Sequence, residues 1–304
     1  MSGRFAPTPS SPLHVGNLRT ALVAWLAARA TGRDFLIRVE DLDWVRLPGA
    51  DATADGQLAD LAELGLDHDG PVVRQRDRTE QYERALARLD GRLYECFCSR
   101  KDVAEATQAP HGATPRYPGT CRHLSPAERA RLRAIRPPAW RIAAGAARMT
   151  VTDGLHGPQT ATVDDFVVRR ADGVFAYNFA VVVDDGLQGV DQVVRGDDLL
   201  ESAPRQAWLA AQLGFTPPTY LHVPLVHALD GTRLAKRDQA VSLARLRAAG
   251  VGTAAVLTHL AVSLNLAAPD ERVTARQLIE RLDVATLPRE PWFVDPLTWG
   301  NQDN

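Results

Sequence analysis

His14 and Gly16 stand in PSSPLHVGN (residues 9–17), between an apolar stretch ending near Ala6 and an Ala/Leu-rich run from Leu18 to Ala30. A strand-to-helix turn at this place leaves backbone N–H groups pointing outward beside the positive end of a helix dipole, which is chemistry for holding an anion. Gly16 lets a ligand approach the backbone closely, and His14 adds a donor. A second group is cationic and anionic at once. Glu40 and Asp41 close the run FLIRVED, where a carboxylate can meet an ammonium, and Arg195 in VVRGDDLL can grip a carboxylate bidentately. Lys236 is one of only two lysines, with Lys101, among 35 Lys and Arg residues. A chain that otherwise uses arginine keeps a lysine where a compact point charge is wanted.

A third group is thiol chemistry. Cys96, Cys98 and Cys121 are all the cysteines of the chain, and they crowd between positions 96 and 121 in a segment rich in Pro, Gly and Thr. Thiolates on short irregular backbone suit a structural zinc ion, which needs four ligands and no fixed secondary structure. Spacing alone nominates His123 as the fourth ligand, in a CxC and CxH arrangement.

These groups need elements to hold them. Arg4 to Ala6 reads as the end of a short strand and Leu18–Ala30 as a helix, so His14 and Gly16 open a helix N-terminus. Phe35–Asp41 reads as a second strand whose carboxyl end carries Glu40, the side on which open parallel sheets bind ligands. Helical spacing over Asp51–Leu66 and Thr79–Leu89 is followed by a strand over Arg92–Cys98. The β-α-β-α-α-β order favours a parallel nucleotide-binding sheet. Ser125 to Glu128 (SPAE) is an N-cap with Pro at the first helical position, starting a helix that runs to about Arg133.

From Trp140 to Gly186 the runs alternate, with an Asp172-Gly173 hairpin, and read as a mixed α/β insertion. AYNFAVVVDD then re-enters the core as an apolar strand with Tyr177 at its end, and QVVRGDDLL follows as another bearing Arg195. A helix over Ser202–Leu213, a strand in TYLHVPLVHAL and a tight turn at Asp230-Gly231 lead to RLAKR (Arg233–Arg237). Helices follow Val241. The expected fold is α/β: a Rossmann-like parallel sheet in two halves, residues 1–95 and 176–240, around an inserted α/β subdomain (96–175), with a helical C-terminal subdomain (241–304).

With 304 residues the chain can bury a sizeable core. Hydrophobic content of 45%, charged content of 24% and a net charge of -2 are those of an ordinary globular protein. No basic n-region with apolar stretch and cleavage site is present, and no apolar run approaches ~20 residues. A cytoplasmic protein without a membrane span is expected, and three cysteines argue against a disulfide framework. No global excess of positive charge advertises nucleic acid, so a basic surface must be local.

The strings themselves resemble a known family. PSSPLHVGN is similar to the first signature of class I aminoacyl-tRNA synthetases, whose HxGH-like element grips ATP phosphates, and RFAPTPS before it looks like the glutamyl branch. RVEDLD, AYNFAVVVDD and QVVRGDDLL resemble strings that line the amino-acid pocket in that branch. RLAKR occupies the place of the second signature, the KMSKS-like loop. The resemblance implies glutamate binding by Arg4, Phe5, Ala6, Pro7, Thr8, Glu40, Tyr177 and Arg195. It implies ATP binding by His14, Gly16, Asn17 and Lys236, with His14 and Lys236 stabilising charge in catalysis and Mg²⁺ on the phosphates. The chain departs from the family at Asn17, Arg233 and Ala235.

YPGTC (Tyr117–Cys121) resembles a pattern of the glutamyl-queuosine tRNA(Asp) synthetase family, which implies zinc held by Cys96, Cys98, Tyr117 and Cys121 and keeps His123 as the alternative. The chain ends soon after its last helices, which in this family implies no anticodon-binding region. The implied activity is transfer of L-glutamate, activated by ATP, to queuosine in the anticodon of tRNA(Asp) by a monomer. Two alternatives stay open: a short glutamyl- or glutaminyl-tRNA synthetase charging a 3′ end, and a non-catalytic nucleotide- or RNA-binding relative.

Overall fold

The structure, a computed structural model, describes residues 1–107, 116–232, 234 and 242–301. Strand β1 (Ser2–Phe5) leads through the Pro/Ser turn into helix α1 (Val15–Ala30), followed by strand β2 (Asp34–Val39) and helix α2 (Ala50–Glu63). Helix α1 is buried along nearly its whole length, from Val15 to Ala28. A helix apolar on all sides must be covered on all sides, and α1 is packed between the sheet and the C-terminal helices. Its approach to β1 is close enough that a Cβ at Gly3 would lie 2.9 Å from the Cβ of Ala28.

Strand β3 (Val73–Arg74) and helix α3 (Thr79–Ala87) complete the first half. The chain then leaves the main sheet. Strand β4 (Leu93–Cys96), helix α4 (Arg100–Thr107), helix α5 (Pro126–Arg133), strand β5 (Ala139–Ile142), the hairpin β6 (Arg148–Asp153) and β7 (Gly157–Thr162), and strand β8 (Phe166–Arg169) form the inserted stretch. The capping box read at Ser125 is present, with Ser125 Oγ accepting from the Glu128 amide. The chain returns through helix α6 (Tyr177–Leu187), strand β9 (Val190–Gly196), helix α7 (Ala203–Gln212) and strands β10 (Thr219–Val223) and β11 (Val226–His227). Helices α8 (Leu243–Ala248), α9 (Thr253–Val262) and α10 (Ala275–Leu278) and a short strand β12 (Trp292–Phe293) follow.

The main sheet has the order β3-β2-β1-β9-β10-β6-β7. Its first five strands are parallel, and only β7 runs antiparallel to its neighbour. After β1 the chain builds outward on one side through β2 and β3, then returns on the other side at β9. The switch point between β1 and β9 opens a crevice at the carboxyl ends of the strands, the place where open parallel sheets take ligands.

Four elements differ from the sequence reading. AYNFAVVVDD is a helix, not a strand: Phe179 to Asp185 are buried at every position, against α3, α7, β8 and β9. An apolar run buried all round carries no period, and its β-branched valines suggest a strand. The run at Arg92–Cys98 is strand β4, but it pairs antiparallel with β5 in a separate three-stranded sheet, β4-β5-β8, outside the parallel one. The hairpin β6–β7 of the insertion adds to the edge of the main sheet instead, with Asp153 beside Tyr220 of β10. Strand β12 pairs with β11, a two-residue contact with no alternating signal of its own. No helix among the described residues is long and apolar enough to cross a membrane.

Candidate active site

The turn after β1 is held from below by Gln57 of α2, 2% exposed, whose side-chain amide donates to the carbonyls of Thr8 (3.1 Å) and Ser11 (2.8 Å). His14 is the N-cap of α1: its Nδ1 accepts from the amides of Gly16 (3.0 Å) and Asn17 (3.3 Å), and the Asn17 side chain accepts from the His14 amide (3.2 Å). The two amides expected to face outward are therefore taken by the imidazole in this structure. An accepting Nδ1 puts the ring proton on Nε2, and burial lowers the His14 pKa, so the ring is neutral at pH 7 with one N–H to offer. A side chain at Gly16 would not fit, since its Cβ would stand 2.9 Å from Cε1 and 3.0 Å from Nδ1 of His14.

A cavity of about 720 Å³ lies over this helix end. Arg4, Phe5, Ala6, Pro7 and Thr8 line it from the end of β1, Glu40 from the end of β2, and Tyr177 from the start of α6. Arg195 lines it from the end of β9, and His14, Gly16 and Asn17 from α1. The structure thus brings together every expected glutamate- and ATP-binding residue among the described ones. Lys236, with Arg233 and Ala235, lies outside the described residues.

Beneath the cavity is a buried ionic cluster that the sequence did not disclose. Asp185 of α6 receives Arg4 (3.2 Å) and Arg38 (2.8 Å), while Asp184 receives Arg78 (2.5 Å), Gln75 and Tyr82 (2.8 Å each). Arg38 also lies 3.5 Å from Glu40 and 3.7 Å from Asp184. Three guanidiniums thus face three carboxylates. Asp185 stays ionised: burial opposes it, but Arg4 and Arg38 outweigh burial and hold its pKa below the usual range. Glu40 is the exception, because burial outweighs Arg38 and Arg4 and pushes its pKa up. Its Oε1 is buried and has no hydrogen-bond partner among the described residues.

Arg195, 5% exposed, stands apart from the ion pairs of this cluster. Its Nε donates to Nε2 of His222 (2.9 Å), Nη1 to Oε1 of Gln206 (2.7 Å) and Nη2 to the Leu199 carbonyl (3.3 Å). His222 and Gln206 stand 27 and 11 residues away in sequence. Neither sits in a motif, so only their shared apolar strand and helix contexts hinted that they face the interior.

In the insertion, Tyr94, Cys96, Phe97, Val103, Tyr117 and Cys121 share a small core. The three thiol sulfurs lie within 4.8 Å of one another. The Tyr117 hydroxyl points among them, 3.5 Å from Cys96 Sγ and 3.8 Å from Cys98 Sγ, and accepts from the Cys121 amide at 2.8 Å. His123 is exposed and is not one of the grouped side chains. Three thiols and one phenol, converging from the end of β4 and the irregular backbone around it, fit a tetrahedral zinc ion. Arg141 donates to Cys96 Sγ at 3.1 Å and lies 3.7 Å over the Tyr117 ring, so a cation already balances this acidic corner. Burial of Cys98 and its contacts with Cys121 and Cys96 push its thiol up to about 12, a direction that a bound divalent cation reverses.

The catalytic-domain model of class I tRNA synthetases (E and Q) matches residues 1–296. The glutamyl-Q tRNA(Asp) synthetase of Nocardia farcinica is 56% identical over 96% of this chain and 93% of that protein. The chain belongs to the glutamyl-Q tRNA(Asp) synthetase family. A second member, from Cutibacterium acnes, is 50% identical over 95% of this chain and 84% of its own. The glutamate tRNA ligase of Elizabethkingia meningosepticum, solved in complex with its amino acid, superposes with a TM-score of 0.81 at 24% identity. That match covers 99% of this chain and 69% of the ligase. It shows that the chain shares the ligase's fold.

Proposed function

We propose that the protein activates L-glutamate with ATP and transfers it to queuosine in the anticodon of tRNA(Asp). The observation that carries this reading is the charge arrangement around one cavity. Glu40 offers a carboxylate on the cavity wall for the substrate ammonium, and Arg195 offers guanidinium for carboxylate. The end of α1, capped by a neutral His14 with Nε2–H to donate, lies beside them for phosphate.

In the first step a carboxylate oxygen of glutamate, already ionised, bonds to the α-phosphorus of ATP as the bond to pyrophosphate breaks. His14 and Lys236 stabilise charge on the phosphates, and Mg²⁺ enters with ATP as part of the substrate. In the second step a hydroxyl of the queuosine cyclopentene-diol attacks the acyl carbon, loses its proton and releases AMP, leaving a glutamyl ester on the base. Cys96, Cys98, Cys121 and Tyr117 would hold one zinc ion, which supplies no chemistry to the reaction and orders the polar insertion. A tRNA substrate places the work in the cytoplasm.

The test is transfer of radiolabelled glutamate to purified tRNA(Asp) with and without queuosine, beside tRNA(Glu). Label on queuosine-containing tRNA(Asp) alone is the expected result. A periodate-sensitive product on tRNA(Glu) would make the protein a charging enzyme instead. Absence of label and of glutamate-dependent ATP–pyrophosphate exchange would make it a binding protein on a synthetase scaffold.

A further inference from the structure

We infer that His222 and Asp153 are positioning residues for Arg195, fixing which face of its guanidinium is presented to the substrate carboxylate. The inference rests on the reading of the cavity as a glutamate site. Both side chains are fully buried, His222 on β10 and Asp153 at the end of β6 in the insertion hairpin. Asp153 Oδ2 accepts from the His222 amide (3.0 Å) and from its Nδ1 (2.7 Å), and Oδ1 accepts from the amides of Leu155 (2.9 Å) and His156 (3.0 Å). An ionised carboxylate with that many donors dictates the tautomer of the ring. The proton sits on Nδ1, and the Nε2 lone pair is left to receive Arg195 Nε at 2.9 Å. The opposite tautomer would set N–H against N–H.

The Arg195 head is held on two more sides. Gln206 accepts from Nη1 and is itself steadied by donating to Asn178 (2.9 Å), and the Leu199 carbonyl accepts from Nη2. Of the five N–H groups of a guanidinium, three are engaged by these contacts, leaving two in one plane for a carboxylate in the cavity that Arg195 lines. The pair is not needed simply to attach the hairpin. Gly154 N already donates to the Tyr220 carbonyl at 2.9 Å, and the His156 ring reaches the His222 carbonyl at 3.2 Å. Burying a carboxylate and an imidazole is costly unless every group is matched, and the matched end of this chain of bonds is the pocket arginine. The insertion therefore takes part in setting the amino-acid site, through a residue that no signature string contains.

The test compares the full-length wild type with His222→Leu and His222→Gln. A glutamine can accept from Arg195 and donate to Asp153 as the ring does; a leucine can do neither. In ATP–pyrophosphate exchange, His222→Leu is expected to raise KM for L-glutamate roughly tenfold or more while KM for ATP stays within about twofold, the loss of one hydrogen bond to a charged group. His222→Gln is expected to return the glutamate KM to within about threefold of wild type. Calorimetric titration with L-glutamate should show the same order. Unchanged glutamate KM in His222→Leu, equal rises in both KM values, or a glutamine variant no better than leucine would overturn the inference. The ¹⁵N spectrum of histidine-labelled wild type checks the arrangement without any substrate: His222 must be the Nδ1–H tautomer, and the Nε2–H form would overturn it. The Nδ1–H form in a protein lacking glutamate-dependent exchange would support the relay and sink the glutamate reading instead.

Discussion

Glu40 carries a burial cost, and on the proposed reading it serves to meet the substrate ammonium. Its pKa is raised by burial, against the pull of Arg38 and Arg4, and its Oε1, 3.5 Å from Arg38, makes no hydrogen bond among the described residues. Glu40→Gln removes the buried charge, so on the proposed reading it should raise the glutamate KM by roughly a hundredfold, as expected for losing a desolvated ion pair with the ammonium. Its melting temperature should not fall, because active-site groups of this kind hold the fold back. A clear drop in melting temperature with normal glutamate KM would show Glu40 to be a structural member of the ionic cluster. At this scale the residues in strings were legible from the sequence: Arg4, Glu40, His14, Tyr177 and Arg195 all reach one cavity. Their supports were not. Asp185 is 181 residues from Arg4, and Asp184 is 109 from Gln75, so no local pattern links them.

Elements were read best where a cap or a period marks them. The α1 and α5 starts follow from His14 and Ser125, each with a reciprocal side-chain bond to the third helical residue. Helix α6 was misread because its buried side is its whole circumference. Helix α2 shows what burial does to a charge on an otherwise legible helix. Asp60, three residues before its end and 9% exposed, is raised from an ordinary 3.8 to about 6 by burial, with Glu63 adding and Arg247 opposing. A carboxyl raised in the fold contributes stability below its unfolded pKa and loses it as pH rises through about 6. Asp60→Asn should therefore stabilise the protein by about 1–3 kcal/mol at pH 8, a gain that fades toward pH 4. Melting temperatures of variant and wild type at the two pH values check this; an equal gain at both would assign the effect to packing instead of charge.

Across the whole molecule the insertion plays two parts. Its hairpin joins the main sheet and delivers Asp153 beside His222, while its other strands form a separate sheet next to the thiol cluster. None of Cys96, Cys98, Cys121 or Tyr117 lines the cavity. Elemental analysis should therefore find roughly one zinc per wild-type chain and little in Cys98→Ser, with a melting temperature lower by roughly 5–10 °C. Glutamate-dependent exchange should persist in the metal-poor variant below its melting point. Absence of metal from both proteins would leave three plain thiols and a tyrosine.

The sequence by itself determined the family, the α/β class and the residues that meet at the cavity, because these are written in short strings whose glycine, histidine and charged positions have local geometric reasons. Tertiary structure alone decided which apolar runs became helix or strand, where the insertion's hairpin docked, and how the charges were matched. Those outcomes depend on pairings across 27 to 181 residues, such as Arg195 with His222 and Arg4 with Asp185. Energy there comes from burial and complementary contact between distant segments, and a linear string records neither.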